Sequence, residues 1–270
     1  MKKVIYISLL CAGFFLHGFS QTDTSFRVEK IIMGDIKAFS VDNLDNIYLL
    51  SSTNQVKKLN ANGDSVAVFN DVKKFGQASL IDVSNPLKIL LYYPDFATIV
   101  VLDRLLNVRN TIDLRRSGIL QVRAIGQSYD NKIWVYDEVE NKLKKIDEDG
   151  KLLLETPDFR QLFDTAPSPQ KIFDQDQYVY VYDSSQAVFV FDYYGALKNK
   201  ILIAGWQNFK VTGKYIFGSA NNRLFRYDIR TFRVDEWPLP EQLYRTEAFN
   251  FSNSRLYALK NNKVEIYRFH

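Results

Sequence analysis

One pattern recurs six times along the chain, and it constrains the fold more than any other feature of the sequence. Each copy holds a short β-prone run, a polar turn, an aliphatic–aromatic strand, a second turn and a further strand ending at Asp, Asn or Gly. The clearest copy runs from Val41-Asp42 through Asp45-Asn46-Ile47-Tyr48-Leu49-Leu50 to Asn54-Gln55-Val56-Lys57-Lys58-Leu59 and Gly63. Its nearest relative runs from Gly126 through Asp130-Asn131 and Ile133-Trp134-Val135-Tyr136 to Asn141-Lys142-Leu143-Lys144-Lys145-Ile146 and Gly150. Weaker copies centre on Ile89, Val179, Ile216 and Leu256, which gives spacings of 42, 44, 46, 37 and 40 residues between the six equivalent positions. Such periods, with four strands each, are those of propeller blades. A sandwich of irregular hairpins is the alternative, and nothing in a sandwich calls for an internal pattern repeated six times.

The strands obey the same logic. Ile47–Leu50, Ile133–Tyr136 and Tyr178–Tyr182 are too apolar for a sheet with one wet face, and they suit strands covered on both sides by neighbouring blades. Asn62-Gly63 and Asp149-Gly150 supply the positive-φ residues of tight hairpins. The only short helix expected lies around Phe159–Phe163. The last unit has three strands, ending in Lys263–Phe269, while Phe26–Ile32 near the start is a strand without a unit. The expected fold is therefore all-β: one six-bladed β-propeller of four-stranded blades, its last blade closed by the N-terminal strand, which removes exposed sheet edges.

The first twenty residues stand apart. Lys2 and Lys3 precede Val4–Leu16, which is uncharged but shorter than the about 20 residues that a spanning helix requires. With Gly18 and Ser20 before Gln21, segment 1–20 reads as a secretory signal peptide, leaving 21–270 as a single propeller domain without a transmembrane segment. A lipoprotein signal at Cys11 would need a small residue where Leu10 stands, so Cys11 reads as an ordinary apolar residue of the leader. Cleavage removes Cys11 and His17 and leaves His270 as the last His. The mature charge is 33 basic minus 31 acidic residues, or +2, because the leader carries two Lys and no acid. This balance gives no reason to expect nucleic acid, and a chain without Cys builds no disulfide. The expected location is outside the cytoplasm. The periplasm is favoured over the extracellular space because the sequence ends on a blade strand.

The copies at Val41–Gly63 and Gly126–Gly150 resemble the Val-Asp-x-x-Gly-Asn-Ile-Tyr-Val…Asn-x-Arg-Ile-x-x-Phe…Gly pattern of the NHL and TolB-like six-bladed propellers. Asp45 stands where that family has Gly, and Val56 or Leu143 where it has Arg. The Cys-free mature chain, rich in Tyr, Asn and Lys with Gln after the leader, is also similar to exported Bacteroidota proteins. The resemblance implies the propeller fold. It does not imply one activity, since such propellers include enzymes, scaffolds and receptors.

Catalytic chemistry is hard to place. One terminal His cannot readily serve a triad, a His/Cys zinc site is excluded by count, and no phosphate loop, nucleophile elbow or His-Glu-x-x-His occurs. No catalytic residue, metal or cofactor is expected. The rival is a Ca²⁺-dependent hydrolase or lyase, because lactonase-type propellers hold Ca²⁺ in the channel with Asp, Glu and Asn. Asp82, Asp174, Glu247 and Asn250 are the candidates, with turn capping as the alternative for both Asp. The leading reading is a non-catalytic exported propeller that binds a protein partner of the cell envelope. The long connections between blades and the b–c turns should share one face, carrying Phe75, Tyr93, Phe96, Phe159, Phe163, Trp206 and Tyr244 among Arg115, Arg116, Arg160 and Arg245. Aromatics and Arg on stiffened loops are the composition of a contact surface, although some of these rings could equally fill gaps between blades. Lys37, Arg123 and Lys210 are expected to point cations at the channel, with Glu247 nearby, as an anion site or as pairs at blade interfaces.

Overall fold

The structure, a computed structural model, describes residues 26–252 and 255–269. The expected signal peptide 1–20 with Cys11 and His17, and the terminal His270, lie outside the described residues. Six antiparallel four-stranded sheets form blades 1 to 6 over Ala38–Phe69, Leu80–Asp113, Val122–Glu155, Lys171–Ile201, Gln207–Pro238 and Ala248–Phe269. Within each blade the strands are lettered a to d from the inside outwards. The six a strands touch in cyclic order and close the ring around a central channel. Blade 6 supplies only three strands of its own. Its outer place is taken by β1 (Phe26–Met33), paired antiparallel with the last strand from Phe26↔Phe269 to Met33↔Lys263. A bulge at Glu29 turns that carboxylate onto Arg255 and Arg268.

The alternation expected of doubly covered strands is explicit in the core. Ile133 and Val135 enter a cluster shared with blade 2, whereas Trp134 and Tyr136 enter one shared with blade 4. The buried residues form six such clusters, one for each seam between neighbouring blades. Each blade is thus a wedge held on both faces, and burial at about 25 cal/mol per Å² of apolar surface supplies the main stabilisation.

The closing Asp, Asn and Gly of the repeat have a definite task. Asn60, Asp103, Asp147 and Asp192 each end strand c, and each Oδ1 accepts the backbone N–H groups two and four residues on. Gly63, Gly150 and Gly195 take the positive φ that this five-residue turn demands. Asp228 does the same work in blade 5 through Arg230 and Thr231, and these hydrogen bonds, with Lys214, outweigh partial burial to hold its pKa at about 2. Besides the expected helix, observed at Phe159–Leu162, a second short helix forms at Val72–Phe75 in another blade connection.

Candidate functional site

The topology produces two unlike faces. The a–b and c–d turns, mostly two to five residues, lie on one. The b–c turns and the long blade connections lie on the other, which also receives Asn70–Gln77, Arg115–Gln121, Thr156–Pro167 and Pro238–Arg245, as the sequence predicts.

The rings expected on the long-loop face do not form an exposed patch there. Phe75, Tyr93 and Phe159 are buried. Phe75 packs on Tyr93 at 5.4 Å, and burial followed by the charge of Asp71 pushes the Tyr93 hydroxyl pKa up. Phe159 stacks on Phe191 at 5.1 Å and meets Phe163 edge-on at 5.5 Å, while Phe163 itself leans on Phe189 at 4.6 Å. Trp206 stacks on Phe225 at 5.0 Å and covers Gly218, where a Cβ would come within 2.7 Å of the indole. Tyr244 is half-buried against the cluster between blades 5 and 6. Arg115 and Arg160 are exposed, but each guanidinium forks onto an Asp two residues upstream, Asp113 and Asp158. That leaves Phe96, Arg116 and Arg245 as exposed members of the set without such an internal lock. The physical reason is that wedges diverge outwards, and long connections fold their apolar side chains into the gap.

The cation set is corrected in a similar way. Lys37 and Arg123 are equivalent as expected, preceding Ala38 and Ala124, which pair with Leu50 and Tyr136. Arg123 turns to Glu138 at 3.7 Å. Lys210 pairs with Phe217 and so shares its level with Ser40, Asp82 and Asn250, deeper in the channel. Its ammonium donates to the Phe251 carbonyl at 2.5 Å, and burial lowers its pKa against the pull of Asp45 and Asp42. The cation that does line the inner cavity is Lys171, which the sequence reading missed.

Asp82 and Asp174 serve as staples between blades, whereas Glu247 bonds within blade 6. Asp82 accepts the N–H of Ser84 in its own strand and of Gln127 in blade 3, both at 2.7 Å. Asp174 accepts Ser128 Oγ at 2.9 Å, Trp134 Nε1 at 3.0 Å and Tyr129 N at 3.3 Å from blade 3, and the Tyr193 hydroxyl at 2.7 Å from blade 4. Glu247 accepts Asn261 N, and Asn250 the N–H of Phe251. Among the described residues, no three metal-ligating side chains of His, Cys, Asp or Glu come together.

Asp174 lies beneath a feature of the tight-turn face that the sequence reading also missed. Tyr129, 67% exposed, stacks on Tyr193 at 4.4 Å. The Lys145 ammonium lies 5.2 to 5.7 Å from the centroids of Tyr129, Trp134 and Tyr193 and pairs with Asp130 at 2.9 Å. Burial and the bond to Asp174 raise the Tyr193 pKa. Asp130 is held below its ordinary value, since bonds from Lys145 and Ser128 outweigh its partial burial. Tyr194, 87% exposed, follows Tyr193 in the same turn, whereas Tyr178, 41% exposed, alternates with Tyr180 and Tyr182 and so lies on the blade 5 side of its sheet. The legible signal was chemical: rings in positions that hairpin turns normally give to Gly, Asn, Asp or Ser.

No protein-family model matches the sequence, and no curated protein matches it. Solved structures do. A streptogramin B lyase aligns over 89% of this chain and 87% of its own, with a TM-score of 0.61 at 13% identity. The Pan2 WD40 domain of Neurospora crassa aligns over 90% and 95%, with a TM-score of 0.66 at 10% identity. A catalytically inactive virginiamycin B lyase from Staphylococcus aureus, with quinupristin, aligns over 88% of each chain at 0.60 and 14%. At these identities the likeness is one of fold, and a lyase and a WD40 domain on one architecture leave function to the sites.

Proposed function

We propose that the mature chain is an exported, non-catalytic binding module of the cell envelope, whose protein partner docks on the tight-turn face of blades 3 and 4. The observation that carries this reading is the rigid aromatic corner of Tyr129, Tyr193 and Lys145 on Asp174, with Tyr194 exposed beside it. Tyrosines held by stacking and hydrogen bonds lose little entropy on binding, and such residues dominate interface energetics. The long-loop face offers Phe96, Arg116 and Arg245 after its other rings are accounted for, a weaker set. Export rests on the basic, apolar and small-residue pattern of segment 1–20. A photo-crosslinking residue placed at Tyr194, and in a second protein at Phe96, should be exposed to envelope extract. A discrete adduct from position 194 and none from 96 is expected. Adducts only from 96 move the partner to the other face, and none from either removes the binding reading.

A further inference from the structure

A cavity of about 220 Å³ opens in the channel where the a strands of blades 1, 2 and 4 begin. Phe39, Leu50, Leu80, Ile81 and Ile125 give it an apolar wall, Ser40 and Ser79 add hydroxyls, and Lys171 is the one charged side chain lining it. Lys171 is open to water within the channel but surrounded by protein, and this burial lowers its pKa, with only the charge of Asp82 acting in the other direction. Asp82 does not neutralise it by contact: its carboxylate oxygens already accept from Ser84 and Gln127. The neighbouring cations differ on this point. Lys210 has the Phe251 carbonyl, and Arg123 has Glu138.

An ammonium set beside an apolar wall, with no carboxylate in contact, attracts an anion more strongly than it would in bulk water. A carboxylate meets that attraction with a charge-assisted hydrogen bond to the amine. The cavity is larger than the roughly 150 Å³ engineered cavity that accepts benzene, so it holds a short chain or a single ring beside the carboxylate. We propose that this cavity binds a small monocarboxylate with an apolar body, its charge on Lys171 Nζ and its tail against Phe39, Leu80 and Ile81. The proposal is independent of the partner face, which lies at the other end of the channel.

The test is calorimetric titration of the mature chain with hexanoate, hexanamide and hexylamine. Hexanoate should bind saturably and raise the melting temperature, as a ligand of the folded state must. Hexanamide should bind about tenfold more weakly or worse, and hexylamine not at all. Lys171→Met should lower hexanoate affinity by a similar factor, whereas Lys37→Met, outside the cavity, should leave it unchanged. Ser79→Phe, which fills the cavity and keeps the amine, should abolish binding and gives an arm that does not depend on the lysine variant. The proposal is overturned if hexanoate does not bind, if amide and acid bind alike, or if Lys171→Met or Ser79→Phe folds and keeps full affinity.

Discussion

The two faces of the ring use aromatic residues in opposite ways. On the long-loop face Phe75, Tyr93 and Phe159 are buried and Phe163, Trp206 and Tyr244 half-buried, whereas Tyr129, Tyr194 and Phe232 in the tight turns stand 67%, 87% and 65% exposed. The difference follows from chain length. A connection such as 156–170 has enough backbone to fold back and place a ring in the seam, as it does with Phe159. A hairpin turn of two to five residues joins strands that already pair within one blade, unlike a connection such as 202–206 that crosses to the next blade, so its side chains meet solvent unless a neighbouring turn covers them. A ring in a long loop is therefore weak support for a contact surface, and a ring in a tight turn is stronger support. The same contrast suggests where substitutions should cost stability and where they should cost binding.

The largest effect is expected at the buried end of this contrast. Phe159→Ala empties a site enclosed by Tyr136, Phe163 and Phe191, and the usual cost of that change in a core is about 3–5 kcal/mol. Phe96→Ala, on the same face but exposed, should change stability by less than about 0.5 kcal/mol. Urea unfolding of the two variants checks both. Equal, small losses would mean that the Phe159 ring is not part of the seam.

Much of the architecture was legible because the repeat carries it. Ile47, Ile133, Val179, Ile216 and Leu256 all hold the same place in strand b, opposite Val41, Gln127, Asp174, Val211 and Phe251. Closure by Phe26–Ile32 followed from counting strands at the two ends, and the observed strand runs one residue further. The channel residues were not legible because register does not survive counting across turns of unequal length. The a–b turn spans 42–46 in blade 1 but only 176–177 in blade 4 and 213–214 in blade 5, and a bulge between Gln207 and Lys210 shifts the count again. Counting therefore set Lys210 level with Lys37 and passed over Lys171. The burial of Phe75, Tyr93 and Phe159 was not legible for the reason given above: residue type in a long loop does not reveal whether the loop folds back.

Next in size is the binding effect. Tyr129→Ala and Tyr194→Ala combined should weaken partner capture by at least about 2 kcal/mol, roughly 30-fold, if these rings are hot spots. Tyr194→Ala alone should leave the melting temperature almost unchanged, given its exposure, so that loss of capture cannot be ascribed to unfolding. A quantitative capture assay with the crosslinked partner decides it. Full retention of binding, with loss instead in Phe96→Ala or Arg245→Ala, would reverse the assignment of faces.

A smaller effect tests whether Trp206 is a plug. Gly218→Ala places a methyl carbon within 2.7 Å of the indole, and overpacking of this kind costs about 1–3 kcal/mol. Adding Trp206→Ala to Gly218→Ala should then cost less than Trp206→Ala costs on its own, a coupling that a double-mutant cycle measures. Additive losses would free Trp206 from the seam and return it to the exposed set.

The smallest effect concerns the charge beneath the tyrosine corner. Asp130 titrates below its ordinary 3.8, so between its folded and unfolded pKa values the unfolded chain binds more protons than the folded one. The sign follows: its stabilisation is fully present above the unfolded value and is lost as pH falls through the folded one. Partner binding at Tyr129 and Tyr194 should accordingly be flat from neutral pH down to about 4.5 and weaken only in stronger acid, as Lys145 loses its carboxylate. Asp130→Asn should remove this acid-dependent step and lower binding slightly at neutral pH, since Lys145 would then be held only by the rings. Trp134, which bonds Asp174 below Lys145, provides the optical reading once Trp206 and Trp237 are replaced by Phe. An emission change that titrates near neutral pH, or one that persists in Asp130→Asn, would show that another group holds the corner, and the contrast between a plugged face and a presented one would have to rest on Tyr194 alone.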